Sequence, residues 1–216
     1  TISLWPRGRF AYLGDVARAR QVDRELADQP RSRAGRQHDA ADSLRDHLVQ
    51  LYATECHLCQ QPAVADYFLW QRKDEQPAKK HVHCPSCRSE TLEPVTEADR
   101  HRLKAIEPKG FHYWYILERL APEGHGSQIA ERLLGLYTPR NLYALVTLLM
   151  RIESAVESER SQDALKVALL YCLLEASKLA GGQGRSLRVP GQFREANVWQ
   201  CFEAAIAALR ASADAR

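Results

Sequence analysis

From Asp39 onward leucines recur at helical spacing, at Leu44, Leu48 and Leu51, which predicts an amphipathic helix with Asp39 or Asp42 as its N-cap. The pattern then changes. Val64-Ala65-Asp66-Tyr67-Phe68-Leu69-Trp70-Gln71 is rich in β-branched and aromatic residues, a charged turn occupies residues 72–77, and Lys79-Lys80-His81-Val82-His83 reads as a second strand. Either Tyr67 with Leu69 or Phe68 with Trp70 packs on a neighbour. Beyond this hairpin, Thr96 caps a helix running to Ile106, and Phe111-His112-Tyr113-Trp114-Tyr115-Ile116-Leu117 is a β-prone run.

The remaining half reads as helices. Ser127 caps one that carries Ile129, Leu133, Leu134 and Leu136, and Thr138-Pro139 opens a longer one with Leu142, Leu145, Leu149, Ile152 and Val156 on one face. A third runs from about Gln162 to Leu179 with Leu165, Leu169, Cys172 and Leu173, stopped by Gly181-Gly182-Gln183-Gly184, and a last one covers roughly Val198 to Leu209. At the other end, residues 1–14 hold a β-like segment around Trp5 and Phe10, residues 15–27 a helix, and residues 29–37 a polar loop with Pro30 and Gly35. There is no internal repeat. The fold class is α+β, mostly α: a helical body with a small β-hairpin unit.

Four cysteines frame that hairpin. Cys56-His57-Leu58-Cys59 and Cys84-Pro85-Ser86-Cys87 are two CxxC pairs with 24 residues between them. Each pair is a tight turn that aims two thiolates at one ion, so together they supply the soft donors of a tetrahedral structural zinc site. With four sulfurs in place no position is left for water, and the ion folds the chain rather than catalyses. His81 and His83 flank Cys84 and read as strand residues. Disulfides are the weaker reading, because Cys172 and Cys201 sit in apolar helical contexts as buried free thiols and no secretory leader opens the chain. A redox pair would sit in a βαβ unit and would not come twice. Reduced thiols without metal are the remaining alternative. The chain thus divides into a basic segment and lead-in helix (1–50), a four-cysteine zinc ribbon (51–92) and a mainly helical domain (93–216).

An apolar content of 45% in 216 residues is that of an ordinary globular protein with a real core. No apolar run approaches the ~18 residues that span a bilayer; the run Leu142–Met150 is stopped by Arg140 and Arg151. The expectation is a soluble, cytoplasmic protein without a membrane partner. The net charge is only +3, yet residues 1–36 hold eight arginines against four acids. That arm suits phosphate, although Arg outnumbers Lys throughout the chain. The hairpin offers Arg72, Lys73, Lys79, Lys80, His81 and Arg88 beside Phe68 and Trp70, the mixture nucleic-acid surfaces use, diluted by Asp66, Asp74, Glu75 and Glu90. Arg140 stands in the first turn of its helix, where a cation opposes the dipole; a phosphate is one candidate partner, and the alternative is an Arg whose stem covers apolar surface or pairs with a nearby Glu. Arg72, Lys73, Lys79, Lys80 and Arg140 are therefore the candidate phosphate contacts. No nucleophile elbow, HExxH, phosphate loop or dinucleotide fingerprint is present, so no catalytic residue is assigned. The only methionine is Met150 and the chain begins Thr1-Ile2, so it has lost its initiator or is a piece of something longer.

The order of Leu51-Tyr52-Ala53-Thr54-Glu55-Cys56-His57-Leu58-Cys59, then Asp66-Tyr67-Phe68-Leu69-Trp70-Gln71-Arg72, the second cysteine pair, Leu136-Tyr137-Thr138-Pro139-Arg140-Asn141-Leu142-Tyr143-Ala144-Leu145 and Glu195-Ala196-Asn197-Val198-Trp199 resembles the adenine-specific DNA methylases that contain a zinc ribbon. The resemblance spans roughly residues 45–205. It implies that the ribbon region is an insertion between the glycine-rich S-adenosylmethionine motif and the Asn/Asp-Pro-Pro-Tyr motif of a Rossmann-like methyltransferase, neither of which this chain holds. The role implied is DNA-facing target recognition, with DNA and a catalytic methyltransferase part or subunit as partners. S-adenosylmethionine enters only if that part is supplied elsewhere. The alternative is a zinc-stabilised protein-interaction module.

Overall fold

The computed structural model describes residues 43–180 and 188–214; the expected elements at 1–14, 15–27 and 29–37, the basic arm and the glycine run lie outside the described residues. The first helix, α1 (Leu44–Gln50), is capped by Ser43, whose hydroxyl accepts from the Asp46 amide, so neither expected aspartate takes that position. Leu44 and Leu48 are buried and lead to Tyr52, also fully buried.

Among the described residues, five strands come from two separate stretches of sequence. β1 (Ala53–Glu55), β2 (Pro62–Gln71), β3 (Gln76–His83) and β4 (Glu90–Pro94) form an antiparallel meander in chain order. β5 (Gln192–Ala196), not expected from sequence, returns from far downstream to pair with β2 from Tyr67 to Gln71. β3 takes one edge of β2, so β1 and β5 share the other, one on each half. Of the two alternatives for the packed face, Phe68 and Trp70 are buried while Tyr67 and Leu69 are half-buried.

Thr96 starts α2 (Glu97–Lys104) with a reciprocal capping box: its hydroxyl accepts from the Asp99 amide and the Asp99 carboxylate accepts from the Thr96 amide. Because that hydroxyl also donates to Asp99, Thr96→Ala should destabilise the protein by about 1–2 kcal/mol, read as a lowered urea midpoint at unchanged slope.

Phe111–Leu117 is not a strand. It forms α3 (Phe111–Leu120), because Tyr113 and Leu117, four residues apart, share a buried face, and tertiary packing overrides β propensity. In α4 (Ser127–Leu134), Gly126 at φ 75° takes the N-cap position expected for Ser127. Its buried residues are Ala130 and Leu134, while Ile129 and Leu133 face outward. α5 (Pro139–Ala155) begins at Thr138-Pro139 as expected. α6 (Glu159–Glu175), capped by Ser158, starts and ends earlier than its leucine pattern suggests, and α7 (Val198–Asp214) closes the described chain.

One hydrophobic cluster runs from α1 through the sheet into α5, α6 and α7. A second, smaller one joins α3, α4 and the opposite side of α5 through Tyr113, Leu117, Leu134, Leu142 and Val146. α5 is therefore buried on two sides, as a helix between two cores must be, with Arg151, Glu153 and Ser154 near its C-terminal end less enclosed. The fold is α+β and mostly α, with the four-cysteine unit at one end of a small antiparallel sheet. No helix among the described residues is long and apolar enough to cross a membrane.

Candidate metal centre

The two cysteine pairs occupy equivalent turns, one after β1 and one after β3. In each, the amide of the first cysteine donates to the carbonyl five residues on (Cys56 to Gln61, 3.0 Å; Cys84 to Ser89, 2.8 Å). The amide four residues on returns to the first cysteine's carbonyl (Gln60 to Cys56, 2.8 Å; Arg88 to Cys84, 2.9 Å). Gln60 and Arg88, each following the second cysteine, take the left-handed conformation at φ 58° and 59° that turns the chain back into the sheet. Repeating one turn on adjacent hairpins brings all four sulfurs within 4.8 Å of one another.

The donor set fits a metal ion. A tetrahedron with metal–sulfur bonds of about 2.3 Å has edges of roughly 3.8 Å; Cys56 Sγ lies 3.8 Å from Cys87 Sγ and Cys59 Sγ 3.5 Å from Cys84 Sγ. Sulfurs this close cannot all ionise unless a cation sits among them. Ser89 pulls Cys87 down to about 6 and the Cys59 amide lowers Cys56, whereas at Cys59 the lowering by the Gln61 amide is outweighed by burial and the neighbouring sulfurs, which push that thiol up. Cys56 and Cys84 are buried and Cys87 is exposed, so the site has a closed inner side and one open corner. Cys172 and Cys201 lie apart from the tetrad; burial pushes both thiols up, Cys201 to about 11. His81 stays a strand residue, stacked on Tyr67 and bonded to Asp66.

Beneath the first turn lies a buried charge cluster. The His57 amide donates to Glu93 Oε2 on β4 (2.9 Å). Lys80 Nζ stands 3.6 Å from the other Glu93 oxygen, 3.0 Å from Asp99 and 3.0 Å from the Glu55 carbonyl, and it also donates to Thr54. Burial alone would raise Asp99, but bonds from Thr54, Thr96 and Lys80 outweigh it and hold its carboxyl below the usual range. Lys80, expected to contact phosphate, is instead 0% exposed and fully engaged, which removes it from any ligand surface.

The same correction applies to Arg140. It is 2% exposed, and its Nη2 donates to Glu195 Oε2 on β5 (2.7 Å), Nε to Oε1 (3.2 Å) and Nη1 to the Leu51 carbonyl (3.1 Å). The guanidinium covers the Phe68 ring at 4.1 Å. Glu195 also accepts from Trp70 Nε1 (2.7 Å) and from the Thr138 hydroxyl. The cation that opposes its own helix dipole is thus held by a glutamate from another element. Around this pair, Tyr52 donates to Asn141 (2.8 Å), Asn141 to the Ala176 carbonyl (2.9 Å), and Asn197 to the Ala65 carbonyl (3.2 Å) while capping α7 through Trp199 and Gln200. Ribbon, central helix and C-terminal helix are locked by one polar lattice.

The remaining hairpin cations are exposed. Arg72 and Lys73 sit on the β2–β3 turn, where Arg72 donates to the Val189 carbonyl (3.0 Å), and Lys79 faces away from its buried neighbour. Asp74 and Glu75 share that turn. Phe68 and Trp70, being buried, offer no stacking surface there. Sequence reasoning assigned no role to Glu93, or to Asp99, for which the signal was the Thr96-x-x-Asp99 capping pattern, and named Glu195 only within the resemblance without pairing it to Arg140. No family model, curated protein or solved structure matches this chain.

Proposed function

We propose that this chain is the zinc-ribbon, DNA-binding portion of a DNA adenine methyltransferase-like protein, one that works in a restriction–modification setting and is not catalytic by itself. Cys56, Cys59, Cys84 and Cys87 hold the zinc, which supplies a fold-closing charge and no reaction chemistry. The observation that carries this reading is that the scattered segments of the methylase resemblance converge: Tyr52, Trp70, Thr138, Arg140, Asn141, Glu195 and Asn197 meet in one buried lattice beside the ribbon. Motif residues with a shared structural task are what a target-recognition insertion needs. S-adenosylmethionine and methyl transfer belong to a catalytic part supplied elsewhere.

The test is salt-dependent duplex binding. Arg72, Lys73 and Lys79 are the accessible hairpin cations, and changing all three to alanine should flatten the log–log salt slope by roughly 0.9 for each phosphate these side chains neutralise. An unaltered slope would remove the hairpin from the interface, and no binding at low salt would remove duplex DNA as its ligand.

One observation favours the second reading, a protein-interaction module. The outward face of α6 carries Val167, Leu170, Tyr171 and Leu174 at 42–69% exposure, an apolar stripe at helical spacing. α5, by contrast, is committed to the core. If the stripe docks a partner subunit, Leu170→Lys with Leu174→Lys should reduce light scattering of the isolated chain at high concentration without altering DNA affinity.

A further inference from the structure

Five aromatic rings run in contact along the surface between α3 and α5 and on to α1. Tyr115 lies 5.8 Å from Phe111, Phe111 5.6 Å from His112, His112 4.1 Å from Tyr143, and Tyr143 5.8 Å from His47. Two cavities open beside this ladder and share His112 and Tyr143. One, of about 320 Å³, is walled by Phe111, Pro139 and Glu107; the other, of about 500 Å³, by Tyr115, Thr147 and Arg151. Both fall in the size range of ligand clefts. The fold does not explain the outward rings, since Tyr113 and Leu117 anchor α3 while Phe111 is 63% exposed and Trp114 54%.

We propose that this groove binds an unpaired base of a DNA strand, stacked on Phe111, with the neighbouring phosphates on Arg151 and Lys109. The inference rests on the DNA-binding reading above and moves the contact from the hairpin to the helical body. An aromatic face beside cations is how single strands are held, because every base has a π-face and every base is flanked by phosphate. The charges fit that ligand. Arg119 is consumed by a bidentate pair with Glu153 (2.7 and 2.9 Å), whereas Arg151 has no ion pair among the described residues and Lys109 makes only a 5.3 Å contact over the Tyr113 ring. Of the two carboxylates on the walls, Glu153 is therefore neutralised and Glu107 is left to accept from a base amine. His112 bonds Thr147 (3.1 Å), and burial lowers its pKa, so the central ring is a neutral stacking surface near pH 7. An aliphatic ligand would leave the two cations without a counter-charge. A matched duplex hides its base faces and would not enter.

The experiment is fluorescence anisotropy of the full chain with a single-stranded oligodeoxynucleotide, its matched duplex, the duplex with one bulged base, and a ribo-oligonucleotide of the same sequence. The single strand and the bulged duplex should bind more tightly than the matched duplex. Phe111→Ala should weaken both by roughly 5- to 150-fold, and Arg151→Gln should lower the single-strand salt slope by about 0.7. Because both substitutions lie outside the core, their melting temperatures should match the parent and exclude misfolding. Wild-type affinity in Phe111→Ala would overturn the groove and leave the DNA reading standing. Failure of the parent chain to bind any oligonucleotide would overturn both, and tighter binding of the ribo-oligonucleotide would overturn the assignment to DNA.

Discussion

Cys84→Ser should purify without zinc and melt as though treated with chelator, whereas the parent chain should carry one zinc per molecule. The size of the effect depends on where the sulfurs sit. The tetrad closes both hairpin turns, and the strands around it depend on those turns for their register. In small zinc modules binding contributes an apparent ~10–16 kcal/mol that is folding free energy outright; here the hydrophobic cluster behind the sheet carries part of that task. The expected loss is therefore the β1–β4 end of the molecule, with the helical signal largely kept. Cys84 is the severest choice because it is 0% exposed, so nothing from solvent replaces its thiolate. Cys87→Ser, at the open corner, should retain metal more weakly, and Cys201→Ala should retain it fully. Elemental analysis and circular dichroism with and without chelator read all four proteins. A parent chain that is metal-free and indifferent to chelator would sink the zinc assignment.

Arg140→Met should cost about 3–5 kcal/mol, since it strands the Glu195 carboxylate inside the protein. That loss corresponds to a fall of roughly 6–20 °C in melting temperature for a chain of this length. Glu195 would keep Trp70 and Thr138 as donors but lose the charge that makes its ionised form tolerable at 1% exposure. Glu195→Leu should cost a comparable amount from the other side, since it strands the Arg140 guanidinium. Replacing both, as Arg140→Met with Glu195→Leu, should recover a large part of either single loss, because a buried pair contributes less net stability than either half costs when left alone. Urea denaturation of the four proteins gives the coupling energy. Strict additivity would mean that the 2.7 Å contact is structural decoration.

The hairpin and its metal donors were legible because CxxC spacing and strand alternation are local properties. The same alternation explains the misplacement of Lys80. It shares the parity of the buried Val82, so period 2 directs it to the core, but a lysine beside a lysine reads as a surface pair. The register irregularity between Leu69 and Trp70 then leaves Ala78 and Lys79 both exposed and blurs the pattern. Arg140 was recognisable as an anomaly from its conflict with the helix dipole. Its partner was not, since Glu195 lies 55 residues away in a strand whose alternation a buried glutamate disguises. For α3 the error ran the other way: aromatic density suggested a strand, whereas the spacing of Tyr113 and Leu117 already described a helix. Local preference supplied these elements correctly where long-range partners agreed with it, and failed where a partner from elsewhere decided the outcome.

The pairing of β5 with β2 sets a timetable for synthesis. Trp70 and Glu195 are 125 residues apart, and at ribosomal speeds of about 5–20 residues per second the interval between them is roughly 6–25 s. Throughout that time the Tyr67–Gln71 edge of the sheet has no strand to meet, and Trp70 lacks the Phe193 ring that stacks on it. An ion captured early by the cysteine turns would hold the nascent hairpin in register while it waits. Without that ion the nascent chain would be open to aggregation before any finished molecule was lost.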